Sequence, residues 1–377
     1  MNNINVFGKP IVVISGINLF EGGPLSVYYD CLDTLVYCKF DEKYSVIAFV
    51  HRIELFEKYK NTGIIFIPLP CARKNYLFRF YYEFVYFRKF SSLNNIHIWI
   101  SLHDITPNVK AEKLYTYCHN PTPFLRVRLL DLRYSLKTVL FALFYRYLYR
   151  INIKNNTSII VQSDWMRDKF KKMFGINNII VARPVIEDGS TSIVAENSNV
   201  KSARTTFFYP AFPRFFKGFE LLCKAAEKLE LKHGRSDFEI ILTINGKENA
   251  YSKDIYSKYG RLKTLKFVGL LKRNEVFNIY KSCNALLFPS RLETWGLPIT
   301  EFKKTKKPIF LIDLPYAHET LGNYEKVCFF SPDSEDDLIN KILGYLDKKN
   351  VFESHLLEEI PEPYAKNWLA LLDSLFK

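Results

Sequence analysis

The sequence predicts an α/β protein of two doubly wound domains that face a central cleft. The chain of 377 residues is long enough for two domains. Short apolar runs, typical of parallel strands that are buried on both faces, alternate with helical stretches. This alternation stops at a segment rich in Ser, Asn and Gly and then restarts. In such sheets we expect a ligand in the cleft, beyond the carboxyl ends of the strands.

The first domain is predicted over residues 1–185. Its strand-like runs are, in order, PIVVISG, YSVIAFV, GIIFIPLP, IHIWISLH, KLYTYCHN, SIIVQS and NIIVARPV. The first fifteen residues lack a basic leader and a small-residue cleavage site, so we expect no signal peptide.

The rest of the chain repeats this pattern. We predict a linker over residues 186–204, a second domain over 205–360 and a C-terminal helix over 361–377. The strand-like runs of the second domain are TTFFYPA, FEIILTING, LKFVGLL, NALLFPS, KPIFLID and VCFFSP. The following DSEDDL places acids where the first turn of a helix favours them.

The seven cysteines are scattered and include no C-x-x-C pair. This pattern argues against a disulfide framework and a zinc ribbon, and it is typical of a cytoplasmic protein. No Asp-x-Asp pair follows a predicted strand, so we expect no essential metal ion and no other cofactor.

The net charge of +14 is concentrated in the first half of the chain. Residues 1–185 hold 25 Lys and Arg against 13 Asp and Glu, and the remainder holds 28 against 26. The basic residues alternate with aromatic ones in the segments Arg73–Phe90 and Leu125–Arg150. Because a membrane span needs roughly 20 apolar residues, these segments are too charged to cross a bilayer but suit the anionic inner face of the cell membrane. Core helices whose charges face water are an equally open interpretation. No nucleic-acid recognition signature is present, so we expect no nucleic-acid partner.

In the first domain, Gly22 and Gly23 precede a predicted helix, where backbone N–H groups can approach a phosphate or a sugar. Turn formation alone would also explain these glycines. His103 and His119 each follow a predicted strand. Histidines at such positions can donate to a sugar hydroxyl or to a developing negative charge, although a structural role is as plausible.

In the second domain, Arg214 and Lys217 lie in a loop just before a predicted helix. The amino end of a helix favours anions, so two cations there indicate a bound anion, and a diphosphate would fit. Solvated loop charges are the alternative.

The stretch FPSRLETWGLPITEFKK sets Glu293 and Glu301 on either side of a glycine turn. Pro298 is a good first helical residue, which predicts that Glu301 falls in the first helical turn. The N–H groups of Gly296 and Leu297 would then face a phosphate. One glutamate could accept hydrogen bonds from a ribose, and the other could hold a sugar.

The segment FPSRLETWGLPITEFKKTKKPIF resembles the E-x7-E region of glycosyltransferase family 4, the retaining sugar transferases of the GT-B fold with two Rossmann-like domains. FPRFFKGFELLCKAAEKL is similar to the family's diphosphate loop, LFEGGPLSV to its glycine loop, and ISLHDITP to the segment whose histidine lies near the donor sugar. LKFVGLLKRNEVFNIYKSCNALLFPS is similar to the nucleotide-facing strand and helix. PYAKNWLALLDSLF resembles the last helix, which in this fold crosses back onto the first domain.

The resemblance implies roles for individual residues. Arg214 and Lys217 would neutralise the leaving diphosphate, Glu293 would hold the transferred sugar, and His103 would lie beside the anomeric centre. The residues expected to bind the donor are Gly22, Gly23, His119, Gly269, Leu270, Thr294, Gly296, Leu297 and Glu301. The chain departs from the family in the close spacing of Arg214 and Lys217 and in the basic EFKKTKKP segment.

The predicted function is transfer of a sugar from a nucleoside-diphosphate sugar to a saccharide acceptor, with retention of configuration. Fixed cations and helix N–H groups would stabilise the leaving diphosphate without a metal. The basic, aromatic first half suits an acceptor carried on polyprenyl diphosphate, in O-antigen or capsule assembly. Two alternatives remain open: a nucleotide-sugar epimerase of the same fold, and a non-catalytic protein that binds a membrane surface or nucleic acid.

Overall fold

A computed structural model describes residues 8–184 and 204–377. The chain divides into two compact units. Unit 1 comprises Met1–Pro123, Leu143–Ile186 and Ile360–Lys377, and unit 2 comprises Phe124–Ala142 and Glu187–Glu359. The segment Phe124–Ala142 thus packs with unit 2, although it lies within the predicted domain 1–185. Apart from Arg204, the predicted linker lies outside the described residues.

Strands and helices alternate along most of the chain. The strands are β1 (Ile11–Gly16), β2 (Ser45–Val50), β3 (Ile65–Pro68), β4 (Ile96–Ser101), β5 (Lys113–Cys118), β6 (Ser158–Val161), β7 (Ile179–Ala182), β8 (Thr205–Tyr209), β9 (Phe238–Leu242), β10 (Leu265–Phe267), β11 (Ala285–Phe288), β12 (Ile309–Ile312), β13 (Tyr324–Phe330), β14 (Glu353–His355) and β15 (Tyr364–Ala365). The α-helices are α1 (Gly22–Tyr37), α2 (Phe40–Lys43), α3 (Tyr76–Tyr81), α4 (Phe87–Leu93), α5 (Leu136–Arg150), α6 (Asp164–Phe174), α7 (Phe219–Leu231), α8 (Ala250–Tyr259), α9 (Arg273–Ser282), α10 (Leu297–Lys303), α11 (Pro315–Leu321), α12 (Glu335–Leu346) and α13 (Trp368–Phe376). A π-helical turn, Tyr82–Tyr86, joins α3 to α4.

Each predicted strand is present. The sheet of unit 1 has the order β15-β7-β6-β5-β4-β1-β2-β3, and all its strands are parallel. The sheet of unit 2 has the order β10-β9-β8-β11-β12-β13-β14, and only β14 runs antiparallel to its neighbour. The strand order reverses between β1 and β4 in the first sheet and between β8 and β11 in the second. These switch points are where doubly wound sheets bind ligands.

The apolar strands are continuous because helices cover both faces of each sheet. In β1, Val12 and Ile14 belong to the core that includes residues of α1 and α13, whereas Ile11 and Val13 belong to the core formed with α4. All four side chains are buried.

The last residues of the chain are part of unit 1. β15 pairs with β7 at the edge of the first sheet, and α13 packs in the same core as α1. The Arg167 guanidinium donates to the carbonyl oxygens of Pro361 and Pro363, which holds the returning chain beside α6. Within the described ranges, no helix is both long and apolar enough to cross a membrane.

Candidate active site

In unit 2, the loops that follow β8 and β11 meet through Gly218. This residue has a φ of 74°, and a Cβ placed on it would lie 2.5 Å from the Pro289 carbonyl oxygen. Only glycine adopts this conformation readily and leaves room for the approaching backbone. The Arg291 N–H donates to the Phe216 carbonyl oxygen at 2.8 Å, so the two loops are also joined by a backbone hydrogen bond.

This approach brings Lys217 and Glu293 together. Lys217 Nζ lies 2.5 Å from Glu293 Oε1, and the two side chains are 17% and 14% exposed. The Lys217 carbonyl oxygen accepts a hydrogen bond from the Tyr209 hydroxyl at 2.6 Å. Burial raises the pKa of Tyr209 and of Tyr316 well above the usual value, and the nearby Glu293 carboxylate adds to both shifts. The site therefore holds a nearly buried ion pair at the switch point of the second sheet.

Arg214 lies at the start of the same short 3-10 turn but points into a different environment. Its side chain is exposed, and its guanidinium carbon lies 6.0 Å from the ring centre of Phe212 and 5.9 Å from that of Phe216. An exposed guanidinium held between aromatic rings keeps its donors available for an anion.

The helix after the glycine turn begins at Leu297, one residue earlier than predicted. Gly296, with a φ of 82°, is its N-cap, and Pro298 is its second residue. Glu301 therefore falls just beyond the first turn, which contains no acid. The prediction that Glu301 lies in the first turn was wrong, because Pro is accepted at either of the first two helical positions, which make no intrahelical N–H bond.

Glu301 faces two residues of α9 that the sequence did not single out. Its Oε1 accepts from Arg273 at 3.3 Å and its Oε2 from the Tyr280 hydroxyl at 3.4 Å. Burial raises the pKa of Glu301, while Arg273, Tyr280 and Lys304 oppose that shift. A half-buried carboxylate with few partners is suited to accept further hydrogen bonds from a ligand hydroxyl.

The remaining predicted donor residues of unit 2 lie on the connecting loops. Gly269 follows β10 with a φ of 76°, and a Cβ there would lie 2.7 Å from Asn245 Nδ2. Leu270 is 54% exposed, and Thr294 is partly exposed beside Glu293.

An additional ion pair fixes the segment Phe124–Ala142 to unit 2. Arg291 donates to Asp131 Oδ1 at 3.3 Å and to the Phe215 carbonyl oxygen at 3.1 Å. The Tyr134 hydroxyl donates to Asp254 Oδ2 at 2.7 Å. Arg291 is part of the E-x7-E stretch, but nothing in its spacing predicts a partner 160 residues earlier.

In unit 1, only one of the two predicted glycines requires glycine. Gly22, the first residue of α1, has a φ of 65°, whereas Gly23 adopts an ordinary helical conformation; a Cβ on either would meet no neighbour within 4 Å. Both are exposed and lie at the amino end of α1, just after the loop that follows β1.

His103 lies at the carboxyl end of β4, but its ring is fully buried. Its Nδ1 lies 2.8 Å from Glu83 Oε1, in an ion-pair contact that is not an aligned hydrogen bond. Its Nε2 lies 3.4 Å from the Ser15 Oγ, which accepts from Trp99 Nε1 at 3.1 Å. Both ring nitrogens thus face protein groups, and the contact with a transferred sugar stays a prediction.

His119 lies at the end of the adjacent strand β5 and is joined to the His103 loop by Asp104. Asp104 Oδ1 accepts from the backbone N–H groups of His119 and Asn120 at 2.8 and 3.1 Å, and from the Tyr149 hydroxyl at 3.2 Å. Burial lowers the pKa of His119, although Asp104 opposes the shift. Asp104 has a φ of 73°, a strained value for a residue with a Cβ, and such strain is concentrated at functional sites.

No group of three or more His, Cys, Asp or Glu side chains in residues 8–184 and 204–377 is arranged to hold a metal ion. The absence of a cofactor remains a prediction.

Residues 189–363 match the family model described as glycosyl transferases group 1. A comparison with curated proteins finds no match. For these residues, the match confirms the resemblance to group 1 glycosyltransferases. Membership of glycosyltransferase family 4 stays a prediction.

Solved structures share the fold over nearly the whole chain. A glycosyltransferase from Rickettsia africae superposes with a TM-score of 0.59 at 15% identity, covering 90% of this chain and 89% of that one. The apo form of the lipopolysaccharide outer core galactosyltransferase WaaB gives 0.61 at 11%, covering 90% and 91%. Anabaena Alr3699/HepE in complex with UDP and glucose gives 0.55 at 12%, covering 90% and 91%. At these identities the similarity establishes the fold, and the predicted GT-B class is confirmed.

Proposed function

We propose that this chain, whose residues 189–363 match the family model described as glycosyl transferases group 1, is a retaining glycosyltransferase. It would move a sugar from a nucleoside diphosphate to a hydroxyl of a saccharide acceptor in surface polysaccharide assembly, for example of an O-antigen or a capsule. The complex of Alr3699/HepE with UDP and glucose, and the lipopolysaccharide substrate in the name of WaaB, support this choice of donor and pathway class.

The observation that carries the proposal is the Lys217–Glu293 pair at the switch point of the second sheet. A purely structural ion pair would gain little at this nearly buried position, because removing both charges from water costs about as much as their attraction returns. A site that handles a charged leaving group needs a fixed cation there, with a carboxylate to orient it.

The proposed mechanism follows from where charge develops. Breaking the sugar–phosphate bond leaves negative charge on the diphosphate and positive character on the sugar ring. Lys217 and Arg214 would stabilise the diphosphate, and Glu293 would hold the sugar. The acceptor hydroxyl would attack on the face that the diphosphate leaves, so that configuration is retained.

The other contacts are proposed separately for the residues of each unit. Glu301 would accept hydrogen bonds from the ribose, and the N–H groups of Gly296 and Leu297 would contact a phosphate. His103 and its loop would border the transferred sugar. The remaining proposed donor contacts are Gly22, Gly23, His119, Gly269, Leu270 and Thr294. No metal or other cofactor is required in this proposal, because fixed side-chain charges take the role of a cation.

The test is a donor-cleavage assay with UDP-, GDP-, dTDP-, CDP- and ADP-sugars, run with and without lipid-linked saccharide acceptors. Acceptor-dependent release of one nucleoside diphosphate supports the proposal. An altered sugar nucleotide formed without acceptor would favour the epimerase, and the absence of any turnover would favour a non-catalytic protein.

Lys217→Ala is the variant that addresses the central ion pair. We expect kcat to fall on the order of a hundred- to a thousandfold, as when one fixed electrostatic stabiliser of a transition state is lost. Lys224→Ala is the matched control, because Lys224 also faces a glutamate in unit 2, Glu335 at 3.9 Å, but is 53% exposed. Equal rates for the two variants would contradict the role of Lys217.

We further propose that the enzyme works at the inner face of the cell membrane, peripherally bound, on an acceptor carried by polyprenyl diphosphate. α5 exposes an apolar stripe at helical spacing, formed by Leu136, Leu140, Leu143 and Tyr147, with Phe144 beside it. Lys137, Arg146 and Arg150 on the same helix are exposed. Apolar side chains flanked by cations suit an anionic lipid surface.

The α3 segment has the same character. The exposed large apolar side chains of this segment and of the π-helical turn are Tyr76, Leu77, Phe78, Tyr81 and Val85. Exposed Arg and Lys residues precede and follow them in the sequence. The interpretation as ordinary core helices explains the buried face of α5 but not its exposed apolar stripe, and α3 has no buried residue.

A further inference from the structure

Glu83 is a fully buried acid in a segment that is otherwise basic and aromatic. It is the only Asp or Glu between Arg73 and Phe90, and its side chain is 0% exposed. A carboxylate in such a position is costly unless charges or hydrogen bonds compensate it. Its neighbours therefore indicate why the chain keeps it there.

Two basic groups surround this carboxylate. His103 Nδ1 lies 2.8 Å from Glu83 Oε1, and Arg79 Nε lies 3.9 Å from the same oxygen. Burial alone would lower the pKa of Arg79, but Tyr145, Glu83 and Asp104 raise it above the usual value. Arg79 also donates to the His103 carbonyl oxygen at 2.9 Å, so the pair holds both the ring and the backbone of His103.

The short contact assigns the proton on the ring. A carboxylate oxygen 2.8 Å from Nδ1 repels its lone pair and attracts an N–H even without an aligned hydrogen bond, so Nδ1 carries the hydrogen. The Trp99 indole is only a donor, so the Ser15 Oγ accepts from it and can direct its own hydrogen to Nε2. The neutral ring is therefore the tautomer protonated at Nδ1, and Glu83 stabilises it.

Glu83 also holds the far end of the loop that follows β4. It lies in the π-helical turn Tyr82–Tyr86, which frees backbone carbonyl groups that an α-helix would use. The Glu83 carbonyl oxygen accepts from the Asn108 N–H at 2.9 Å, and the Phe84 carbonyl oxygen accepts from the Asn108 side chain at 3.3 Å. π-helical turns are frequent at functional sites.

We infer that Glu83 is a positioning residue of the transfer reaction. Glu83 sets the tautomer of His103 and fixes the loop from His103 to Asn108 at the carboxyl end of β4. This inference rests on the proposed function. Several of the polar atoms in the cluster are buried without an aligned hydrogen bond, namely Arg79 Nε, both Glu83 carboxylate oxygens, His103 Nδ1 and His119 Nδ1. An arrangement that leaves polar groups imperfectly paired is expected at a site kept for function rather than for stability.

The first test is a double-mutant cycle on kcat with Glu83→Gln and His103→Leu. Glu83→Gln keeps the size of the side chain, and we expect kcat to fall on the order of ten- to a hundredfold, as for other carboxylates that orient a functional histidine, with KM for the donor sugar unchanged. Because Glu83 acts through His103, Glu83→Gln should cause no further loss of kcat in a chain that already carries His103→Leu. Additive losses, or a loss confined to thermal stability, would overturn the inference.

Glu112→Gln is the matched control. His97 Nδ1 lies 2.6 Å from Glu112 Oε2, so this pair repeats the contact at the amino end of the same strand, but Glu112 is 57% exposed. We expect this variant to retain the wild-type kcat. A loss equal to that of Glu83→Gln would overturn the inference.

The second test does not depend on activity and so separates this inference from the proposed function. Nitrogen-15 NMR of the histidine rings, with His103→Leu used to assign the signal, should find His103 protonated at Nδ1. Glu83→Leu, which has no acceptor oxygen, should lose that preference. A wild-type ring protonated at Nε2 alone would overturn the inference even if the chain is a transferase.

Discussion

Glu301 is the residue whose charge state should be visible in nucleotide binding. Burial raises its pKa, and an ionised carboxylate accepts hydrogen bonds from ribose hydroxyls better than a neutral one. The affinity should therefore be full above the raised pKa and should weaken as the pH falls through it.

The Arg273 side chain, 3.3 Å away, lowers the pKa of Glu301. In Arg273→Met the loss of affinity should begin at a higher pH than in the wild type, by less than about one pH unit because Arg273 is 78% exposed and screened by solvent. Calorimetric titration of the nucleoside diphosphate across the acid range measures this. Arg261→Met, an exposed arginine of the same unit, is the control, and identical pH profiles for both variants would contradict the assignment.

For individual residues, the sequence indicated which residues belong to the candidate site better than it indicated which side chains they contact. Lys217, Glu293 and Glu301 could be singled out because their loops were recognisable from the strands and helices around them. Arg273, Tyr280 and Asp131 could not, because their contacts depend on side chains that are distant in the sequence. Glu83 did carry a signal, as the single acid of a basic segment, but its burial is a property of the folded chain.

Among the elements, the turn between β8 and α7 is the one on which the unit 2 site depends most. A Cβ on Gly218 would strain a positive φ and approach the Pro289 carbonyl oxygen to 2.5 Å. The loop that carries Lys217 would have to move away from the loop that carries Glu293.

Gly218→Ala should therefore lower the free energy of unfolding by more than the penalty of placing an alanine at a positive φ. Gly234→Ala is the matched control in the same unit, because Gly234 has a φ of 61° and no neighbour within 4 Å of its Cβ. We expect about 1 kcal/mol for the control and a larger loss in the free energy of unfolding for Gly218→Ala, measured by urea denaturation. Equal losses would show that the approach to Pro289 does not matter.

The elements themselves were largely predictable. The thirteen predicted strands were identified correctly, because most of them are apolar runs whose side chains are buried; β3, at the edge of the first sheet, is partly exposed. β14 and β15 were missed: they have three and two residues, and their pairing depends on a neighbouring strand rather than on their own sequence. The start of α10 was misplaced by one residue, because a proline suits more than one position at a helix start.

For the molecule as a whole, we expect the basic, aromatic first half of the chain to determine binding to an anionic membrane surface. Binding to vesicles that contain anionic lipid should weaken as salt is added, because the Debye length shortens to about 8 Å at physiological ionic strength. Phe144→Glu should lower vesicle binding about tenfold or more, because burying such a side chain is worth roughly 1.5–3 kcal/mol.

Leu231→Glu is the control for this experiment. Leu231 is 68% exposed at the end of α7, outside the basic segments, so its replacement should leave vesicle binding unchanged. Equal binding by Phe144→Glu and the wild type, measured by co-sedimentation, would remove α5 from the proposed membrane surface.

The distribution of charge along the whole chain was evident from the sequence, and so was the two-domain class. The grouping of Phe124–Ala142 with unit 2 was not, because it depends on Asp131 and Tyr134 meeting Arg291 and Asp254. Sequence periodicity describes strands and helices but not which unit a connecting segment joins.

The central claim is that unit 2 binds the nucleotide of a sugar donor through the site that contains Glu301. The most direct measurement is thermal unfolding of the purified chain with UDP, GDP, dTDP, CDP or ADP, each with and without EDTA. A nucleotide at a hundred times its Kd should stabilise the protein by about 2.7 kcal/mol. The account predicts that one nucleotide stabilises the wild type regardless of EDTA and that Glu301→Ala loses the effect. No stabilisation by any of the five, or the same stabilisation in Glu301→Ala, would contradict it.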